Sequence, residues 1–432
     1  MSAAQPATLA QWLSRIEALH PAEIELGLDR VRTVADQLQL IGGWQCPIVT
    51  LSGTNGKGST QAYLSAMLAA QGYRVAAYSS PHLLRYNERI RLNDQPASDS
   101  LLCQAFSAID QACQQTTISL TYFEYATLAG LWLSRYWQPD VMLLEVGLGG
   151  RLDAVNIIDA DIAVITTVAL DHQDWLGNDR ETVGVEKAGI LRSGRPVVYG
   201  EPDMPASVAA QIQALGCPLY HWGTDFGPQS IDNDWCWQGL GADRQPVTYP
   251  ALPQPLLPFE NASTAIQTIE LLPLAVSDSS IRRGLEQARL AGRYQCVELE
   301  QRQLILDVAH NPHAAAHLVN RLPAVAGKTW CVLGMLQDKD CQATMACLVP
   351  AVDRWLFSDL DVARGCSAEQ LKSLYLANSN DAPVVGSFEA PWQACQAAQQ
   401  QSQPGDRILI VGSFFTVADV LARLEAETEE VS

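Results

Sequence analysis

The stretch "LSGTNGKGST", residues 51–60, decides the fold of this chain. An apolar run, "CPIVT" at residues 46–50, precedes it, and a helix-like run, "QAYLSAMLAAQG" at residues 61–72, follows it. A strand that leads through a glycine-rich turn into a helix is the layout that binds phosphate, because glycines let backbone N–H groups approach an anion at the helix N-terminus. The stretch therefore predicts a nucleotide site in an α/β protein.

The polar side chains of this turn fit the same chemistry. Lys57 supplies a positive charge for phosphate, and Ser59 or Thr60 supplies a hydroxyl for magnesium. The usual phosphate loop has its lysine followed directly by serine or threonine, whereas Gly58 separates Lys57 from Ser59 here. A glycine-rich turn with a surface lysine is the alternative interpretation, and the flanking strand and helix favour the nucleotide site over it.

Short apolar segments alternate with helix-like segments on the C-terminal side of this loop. Such segments predict strands of a parallel, doubly wound sheet that is covered on both faces. Ligands of these sheets bind beyond the carboxyl ends of the strands, and polar residues end each of the segments. The segments are "YRVAAYSS" (73–80), "DVMLLEVGLGG" (140–150) and "DIAVITTVALDH" (161–172).

The pattern changes after residue 222. Residues 223–258 contain many Gly, Asp, Trp and Pro residues and predict a small antiparallel excursion. Strand–loop–helix patterns resume at residues 303–322 and 407–425. We therefore expect two domains: a P-loop-type, mostly parallel doubly wound domain at residues 1–295, and a smaller Rossmann-like α/β domain at residues 296–432.

The composition limits the partners and the compartment. The net charge of -19 over 432 residues disfavours nucleic acid and anionic membranes as partners. The 11 cysteines form no C-x-x-C pair, which is typical of buried free thiols in a reducing compartment. Residues 1–20 lack the pattern of a secretory signal, and no stretch is apolar for long enough to span a bilayer. We expect a soluble, cytoplasmic protein that acts as a monomer.

The loop and a series of further segments resemble the Mur ligase superfamily, and in particular the folylpolyglutamate synthases, whose ATP loop has the form Gly-Lys-Gly-Ser/Thr. The resemblance implies a ligase that uses ATP and Mg²⁺. It would add L-glutamate to dihydropteroate and to tetrahydrofolate glutamates through an acyl phosphate; a monofunctional folylpolyglutamate synthase is the alternative. The matching segments are "YSSPHLLRYNERIRL", "SLTYFEYATLAGLWL", "LEVGLGGRLDAVNIID", "ALDHQDWLG", "VEKAGILR", "GRYQ", "LDVAHNPHAA" and "GMLQDKD".

The resemblance also implies a metal site and a catalytic group. Ser80, Glu145 and His172 match the family's magnesium ligands, although a strand-end serine is commonly a cap and a lone histidine commonly a satisfied polar group. Lys187 matches a lysine that the superfamily carbamylates with CO₂, and the alternative is a helix lysine paired with Glu186 or another carboxylate. The catalytic residues that follow from the resemblance are Lys57, Lys187 and His172.

The implied ATP contacts come from both predicted domains. For Arg293 the alternative is an interdomain salt bridge, and for Asp307 it is helix capping. The contacts are Thr54, Asn55, Gly56, Lys57, Gly58, Ser59, Asn261, Arg293, Asp307 and His310.

The implied pteroate site lies around residues 121–124, where an aromatic ring suits stacking on a flat pterin. Arg85 is a further candidate that would meet the substrate carboxylates, although surface charge is the default for such a residue. "DVAHNPH" and "GSFF" would flank the glutamate pocket. The pteroate candidates are Glu23, Ile24, Glu25, Thr121, Tyr122, Phe123, Glu124, Arg151, Leu152 and Asp153.

Three other functions fit the sequence less well. A P-loop GTPase or ATPase switch needs Gly-Lys-Ser/Thr and a separate Asp-x-x-Gly. A nonenzymatic nucleotide-binding regulator has no need of a second α/β domain that carries another polar loop. A peptidoglycan ligase of the same superfamily is disfavoured by "FEYATL" and "SSPHLLRYNERIR". The expected partners are therefore small molecules, namely dihydropteroate, folates and L-glutamate.

Overall fold

The computed structural model describes residues 6–20, 25–231, 234–377 and 382–431. The chain divides into two compact units, Met1–Arg289 and Leu290–Ser432. The predicted boundary between residues 295 and 296 falls just after the start of the second unit, inside its first strand. The second unit thus begins a few residues earlier than the sequence pattern indicates.

An eight-stranded sheet forms the centre of the first unit, in the order β4-β3-β2-β5-β1-β6-β7-β8. Strands β2, β5, β1, β6, β7 and β8 are parallel neighbours, and β3 and β4 join antiparallel at one edge. This mostly parallel sheet confirms the predicted fold class. The strands are β1 (Ile48–Ser52), β2 (Val75–Tyr78), β3 (Ile90–Leu92), β4 (Gln95–Pro96), β5 (Val141–Glu145), β6 (Ile162–Ile165), β7 (Val197–Tyr199) and β8 (Leu219–His221).

Helices surround this sheet. The helices are α1 (Leu9–Leu19), α2 (Asp29–Gln37), α3 (Lys57–Gln71), α4 (Asp99–Thr116), α5 (Tyr122–Trp137), α6 (Gln173–Leu176), α7 (Arg180–Ala188), α8 (Ala206–Ala214), α9 (Phe259–Leu271) and α10 (Asp278–Gln287). Helices α3 and α5 are buried on most of their surface, which explains why both sequences are apolar on nearly every face. Helix α3 packs against α9 and α10 and lies directly behind the glycine-rich loop.

A three-stranded antiparallel sheet follows, in the order β11-β10-β9. Its strands are β9 (Gly227–Ile231), β10 (Asp234–Leu240) and β11 (Pro246–Leu252). Trp237 is fully buried, and its indole N–H donates to Ser263 Oγ on α9 at 3.0 Å. The predicted antiparallel excursion is confirmed, and a buried tryptophan attaches it to a helix of the first unit.

The second unit has a six-stranded sheet in the order β12-β13-β17-β14-β15-β16. Strand β12 joins antiparallel, and the other neighbouring strands are parallel, as expected for a Rossmann-like domain. The strands are β12 (Gln295–Leu299), β13 (Arg302–Leu306), β14 (Thr329–Leu333), β15 (Arg354–Ser358), β16 (Val384–Phe388) and β17 (Arg407–Val411). The helices are α11 (Pro312–Arg321), α12 (Cys341–Leu348), α13 (Ala368–Ala377), α14 (Pro391–Gln401) and α15 (Phe414–Val431).

Candidate active site

The carboxyl ends of four adjacent strands define one edge of the first unit's sheet. These strands are β2, β5, β1 and β6, which lie side by side and parallel. Ser80 follows β2, Glu145 ends β5, the glycine-rich loop follows β1, and His172 lies in the segment after β6. Because parallel strands end at the same edge, the topology brings the predicted metal ligands and the predicted phosphate loop to one side of the sheet.

The loop itself requires glycine at two positions. Gly53 has φ +150°, and a Cβ atom there would lie 1.9 Å from Thr166 Oγ1. Gly56 has φ +90°, and a Cβ atom there would lie 2.6 Å from Asn261 Oδ1. Lys57 folds back over the loop, and its Nζ donates to the Gly53 carbonyl at 2.7 Å. The structure therefore places Asn261, one of the predicted ATP contacts, against the predicted phosphate loop.

Backbone contacts anchor the loop to the segment after β6. The Thr54 N–H donates to the Thr167 carbonyl, and the Asn55 N–H donates to Thr167 Oγ1, each at 2.9 Å. The Thr54 hydroxyl donates to the Ala169 carbonyl at 2.9 Å. The N–H groups of Thr54 and Asn55 and the Thr54 hydroxyl thus stabilise the conformation of the loop. The first turn of α3, residues 57–59, carries the N–H groups that a helix leaves without intrahelical partners.

The next residue of α3, Thr60, has a hydroxyl without a partner among the described residues. The Thr60 Oγ1 atom is buried and forms no hydrogen bond with the described residues. A buried polar atom without a partner is unfavourable by about 1–3 kcal/mol, so a ligand that reaches Thr60 would relieve this cost. Ser59, the other hydroxyl that the sequence offers for magnesium, is also buried.

Lys187 lies on α7 with only 3% of its surface exposed. Burial, reinforced by the positive charge of Lys57, lowers the pKa of Lys187 to about 7, while Asp171 and Glu201 act in the opposite direction. Glu186, the partner that the sequence left open for Lys187, forms an ion pair with Arg151, whose Nη2 donates to Glu186 Oε1 at 2.8 Å. Lys187 therefore lies within the field of Lys57, with an amine that is about half neutral near pH 7.

Asp153 and Phe123 form a wall beside this charged region. The Asp153 carboxylate accepts N–H groups of Gly147 and Leu148 at 3.0 and 2.9 Å, and that of Val155 at 3.0 Å. Burial raises the pKa of Asp153 to about 6 against these hydrogen bonds and the charge of Lys57. A Cβ atom on Gly147 would lie 2.5 Å from the Phe123 ring. Two of the predicted pteroate residues are thus adjacent to each other and lie within the field of Lys57.

Other predicted pteroate residues have structural partners. Thr121 and Glu124 form the capping box of α5, in which the Thr121 N–H donates to Glu124 Oε2 at 2.7 Å. Glu124 Oε1 also accepts from Arg30 Nη2 at 3.2 Å, and Arg30 pairs in turn with Glu25. The Leu152 carbonyl accepts the Gly27 N–H. Glu23 and Ile24 lie outside the described residues.

An arginine to which the sequence pattern gave no role adjoins this wall. Arg89 is 7% exposed, its Nε donates to His82 Nδ1 at 2.8 Å, and its guanidinium lies 5.6 and 5.5 Å from the ring centroids of Tyr86 and Tyr122. Burial, followed by the charge of Arg89, lowers the pKa of His82 to about 4. Arg85, the arginine named from the sequence, is exposed. In the sequence, Arg89 is one of three arginines in the segment "RYNERIR", and nothing in the pattern distinguishes it from the other two.

In the second unit, three predicted nucleotide contacts cluster at the carboxyl edge of β13 and β17. Asp307 accepts the Tyr294 N–H at 2.8 Å and the Ala309 N–H at 2.9 Å, and burial raises the pKa of Asp307 although Arg293 opposes this. The Arg293 guanidinium lies 4.9 Å from the Phe414 ring, and the His310 ring lies 6.2 Å from it. Phe414, which the sequence offered only as part of "GSFF", is the centre of this group.

The described residues contain neither a cluster of classical metal ligands nor a membrane span. No group of three or more His, Cys, Asp and Glu side chains among them is arranged to hold a metal ion. The predicted ligand set contributes only two such side chains, Glu145 and His172, because its third member is Ser80. Within the same described ranges, no helix has the length and apolarity needed to cross a membrane.

The chain is similar to known proteins over nearly its whole length. Residues 292–414 match the family model described as Mur ligase, glutamate ligase domain. The chain is 46% identical over 421 residues to the dihydrofolate synthase/folylpolyglutamate synthase of Escherichia coli (strain K12). The aligned region covers 97% of this chain and 96% of that protein. Its structure is similar to that of E. coli FolC in complex with DHPP and ADP, with a TM-score of 0.92 and 44% identity over 99% of this chain and 100% of that one. It is also similar to the bifunctional folylpolyglutamate synthase/dihydrofolate synthase of Yersinia pestis complexed with AMPPNP and Mn ion, with a TM-score of 0.90 and 46% identity over 98% and 100% of the two chains.

Proposed function

Because this chain belongs to the family of dihydrofolate synthase/folylpolyglutamate synthases, which are ATP-dependent ligases, we propose that it joins L-glutamate first to dihydropteroate and then to tetrahydrofolate glutamates. The observation that carries the proposal is that two lysines and two predicted pteroate residues lie close together at one edge of the sheet. The lysines are Lys57 in the phosphate loop and Lys187 behind it, and the pteroate residues are Phe123 and Asp153.

The first half of the reaction makes the substrate carboxylate reactive. A carboxylate oxygen attacks the γ-phosphorus of ATP, the bond to the β-phosphate oxygen breaks, and an acyl phosphate and ADP form. Phosphoryl transfer needs positioning and charge neutralisation more than covalent help from the protein. The N–H groups in the first turn of α3 and the ammonium of Lys57 supply both for the triphosphate.

The residues at this edge of the sheet offer ligand atoms that can bind magnesium. Ser80 and Glu145 offer oxygen ligands, His172 offers a nitrogen, and the buried Thr60 hydroxyl, which has no partner among the described residues, is a further oxygen at the same edge. When bound, a divalent cation would neutralise charge on the phosphates. Ser80, Glu145 and His172 remain the proposed ligands.

The second half forms the amide. The amine of L-glutamate attacks the acyl carbon, and the bond to the phosphate oxygen breaks, so that inorganic phosphate leaves. We propose that the second unit, which matches a glutamate ligase domain, binds L-glutamate. Arg293, Asp307 and His310 remain the proposed nucleotide contacts of that unit. The proximity of Arg293 and His310 to Phe414, and the charge interaction of Asp307 with Arg293, support this assignment.

We propose that Lys187 carries a carbamate. The neutral amine attacks CO₂, a proton leaves, and a buried cation becomes an anion that no longer repels Lys57. The pKa of about 7 supports this step, because much of the amine is neutral at physiological pH. The test is to add ¹³C-labelled bicarbonate to the protein and record ¹³C NMR, in which the wild type should show a carbamate signal that Lys187→Arg lacks. Equal spectra for the two proteins would exclude the carbamate.

The central experiment is a pair of turnover measurements on the same preparation. ADP release is recorded with dihydropteroate and, separately, with a tetrahydrofolate monoglutamate, each in the presence and absence of L-glutamate. We expect turnover with both acceptors and none without L-glutamate, and Lys57→Ala should lower both rates by about 100-fold or more. Glutamate-dependent turnover with the tetrahydrofolate monoglutamate but not with dihydropteroate would favour the monofunctional alternative. The names of the bifunctional relatives do not support that alternative.

We propose that the enzyme acts as a monomer in the cytoplasm. The cysteines support the proposed compartment, because all of them are free thiols and six are buried. Size-exclusion chromatography with light scattering would test the oligomeric state directly, and a mass of twice 47.0 kDa would overturn the monomer.

A further inference from the structure

Two cysteines of the second unit face each other at the carboxyl edge of its sheet. Cys341 and Cys366 have their Sγ atoms 3.9 Å apart, and they are 6% and 5% exposed. Cys341 begins α12, directly after the loop that follows β14, and Cys366 lies just before α13. The two cysteines therefore lie where two segments, 25 residues apart in the sequence, come close together.

Backbone hydrogen bonds already hold these two segments together. The Cys366 N–H donates to the Met335 carbonyl at 2.9 Å, and the Gln337 N–H donates to the Arg364 carbonyl at 2.8 Å. The Gln337 side chain adds a bond to the Gly365 carbonyl at 2.7 Å. The sulfur atoms are thus neighbours because the backbone fixes them there, and about 2 Å of side-chain movement would bring them to the length of a disulfide bond, about 2.05 Å.

Two helix N-termini beside the pair favour a thiolate, whereas burial and the carboxylates of Asp338 and Asp340 oppose it. Cys341 is the first residue of α12, whose N-cap is Asp340, and Cys366 lies at the N-terminal side of α13, so the positive ends of two helices adjoin the sulfur atoms. The two Sγ atoms form a weak hydrogen bond in which either thiol can be the donor. This bond lowers the pKa of Cys366 and raises that of Cys341.

A small oxidant can reach the pair. Cys341 and Cys366 line a cavity of about 750 Å³ together with Lys339, Ser367 and Gln370. Both cysteines are thus nearly buried and at the same time belong to the lining of this cavity.

We propose that Cys341 and Cys366 form a reversible disulfide when the protein meets hydrogen peroxide. The Cys366 thiolate attacks one peroxide oxygen, the O–O bond breaks, and hydroxide leaves and takes up a proton to give water, so Cys366 becomes a sulfenic acid. The sulfur of Cys341 then attacks the sulfenic sulfur, the S–O bond breaks, and a second water leaves. Two thiols lose two electrons in all, and one peroxide molecule is reduced to two waters.

The disulfide would restrain one side of the second unit. It would tie residues 334–340, which carry "GMLQDKD", to the start of α13. Gly334 of this segment is buried against the segment after β17, since a Cβ atom on Gly412 would lie 2.4 Å from the Gly334 carbonyl oxygen. Oxidation is therefore expected to reduce the mobility of the loop at the carboxyl edges of β14 and β17.

The test uses the full chain and two readouts that need no variant. Reduced protein is exposed to hydrogen peroxide, free thiols are blocked with iodoacetamide, and peptides are identified by mass spectrometry. We expect a cross-linked peptide pair that contains Cys341 and Cys366, at least about tenfold more abundant than in a sample treated with dithiothreitol. Hydrogen exchange of the amides in residues 335–341 should slow in the oxidised sample and recover on reduction.

Variants give the matched comparison. Cys366→Ser should abolish the cross-link, and Cys347→Ser, on the same helix α12, should leave it intact. The proposal is overturned if peroxide oxidises the exposed Cys296 while Cys341 and Cys366 remain reduced, or if Cys366 proceeds to the sulfinic acid without any cross-link.

Discussion

At the scale of single residues, the chemistry of the site depends on burial. Lys187 has an ordinary sequence context, and only its position beneath the surface and near Lys57 makes its amine partly neutral. Asp153 shows the reverse case, because burial raises the pKa of its carboxyl group although three backbone N–H groups bind it. Both shifts arise where desolvation outweighs the local partners.

The lowered pKa of Lys187 makes a prediction about stability. The unfolded chain keeps the ordinary pKa of 10.5, so between about pH 7 and 10.5 the unfolded state binds a proton that the folded state does not. In CO₂-free buffer the free energy of unfolding should therefore rise with pH across this range, and Lys187→Met should remove that rise and increase stability near pH 7. Urea unfolding at several pH values measures it.

The exposed Lys328 provides the control for this measurement. Lys328→Met also removes one lysine charge, and the rise in the free energy of unfolding that comes from Lys187 should persist in it. If Lys187→Met retains the wild-type slope, Lys187 is not neutral in the folded protein. Turnover should fall by about 100-fold or more in Lys187→Met, despite the gain in stability.

At the scale of elements, a loop and a helix start depend on local geometry that a small change disturbs. The strand, the loop and α3 were predictable, because a buried strand, three glycines and a helical pattern follow one another within residues 46–72. The anchoring of the loop was not, because its partners lie more than a hundred residues away in the segment after β6. The spacing of residues in the sequence does not tell which N–H groups of the loop form hydrogen bonds with distant segments.

Gly56→Ala tests the loop. The positive φ at this position is unfavourable for alanine by about 1–2 kcal/mol, and the new methyl group would displace Asn261. We expect the affinity for ADP with Mg²⁺, measured by isothermal titration calorimetry, to fall by about tenfold or more.

Gly72→Ala is the matched control at the other end of α3. Gly72 has φ +99°, and a Cβ atom there would have no other atom within 4 Å, so this variant has the same backbone strain without a steric clash. It should lose about 1–2 kcal/mol of stability and bind ADP as the wild type does. Equal losses of affinity in the two variants would mean that the effect of Gly56→Ala is general destabilisation.

The capping box of α5 makes a second prediction at this scale. Thr121→Ala removes a side-chain acceptor from the helix N-terminus and should lower stability by about 0.5–2 kcal/mol. Because α5 begins next to Phe123, the same change should raise KM for dihydropteroate more than it lowers kcat.

Thr8 forms the same kind of capping box on α1 and serves as the comparison. Thr8→Ala should lose a similar amount of stability while KM for dihydropteroate stays unchanged. Should both variants raise KM alike, the effect of Thr121 would have to come from stability alone. Thr121→Ser, which retains the hydroxyl, should restore the wild-type KM.

At the scale of the whole molecule, two compact units carry the function. The alternation of strands and helices predicts two α/β domains, but the boundary depends on contacts. Gly292 and Tyr294 belong to the second unit because the Gly292 carbonyl accepts the Val308 N–H at 2.9 Å and the Tyr294 N–H binds Asp307. A boundary at residue 296 separates these groups from their partners.

Two fragments test this boundary. Residues 290–432 retain the start of β12 and the N–H donor for Asp307, whereas residues 296–432 lose both. We expect the longer fragment to be more stable by about 1–3 kcal/mol, because the shorter one leaves a buried carboxylate oxygen without its donor. Urea unfolding followed by circular dichroism measures the difference, and fragments of equal stability would support the boundary at residue 296.

The sequence by itself determined the α/β fold of both units, the glycine-rich loop between β1 and α3 and the sheet edge at which the polar residues gather. These features depend on apolar periodicity and on residues that are close along the chain. Only the tertiary structure decided that Arg89 and not Arg85 is buried, that Glu186 binds Arg151 and leaves Lys187 beside Lys57, and that Cys341 faces Cys366. The physical reason is that burial and pairing are set by neighbours from distant parts of the chain, and these neighbours exist only once the sheets have formed.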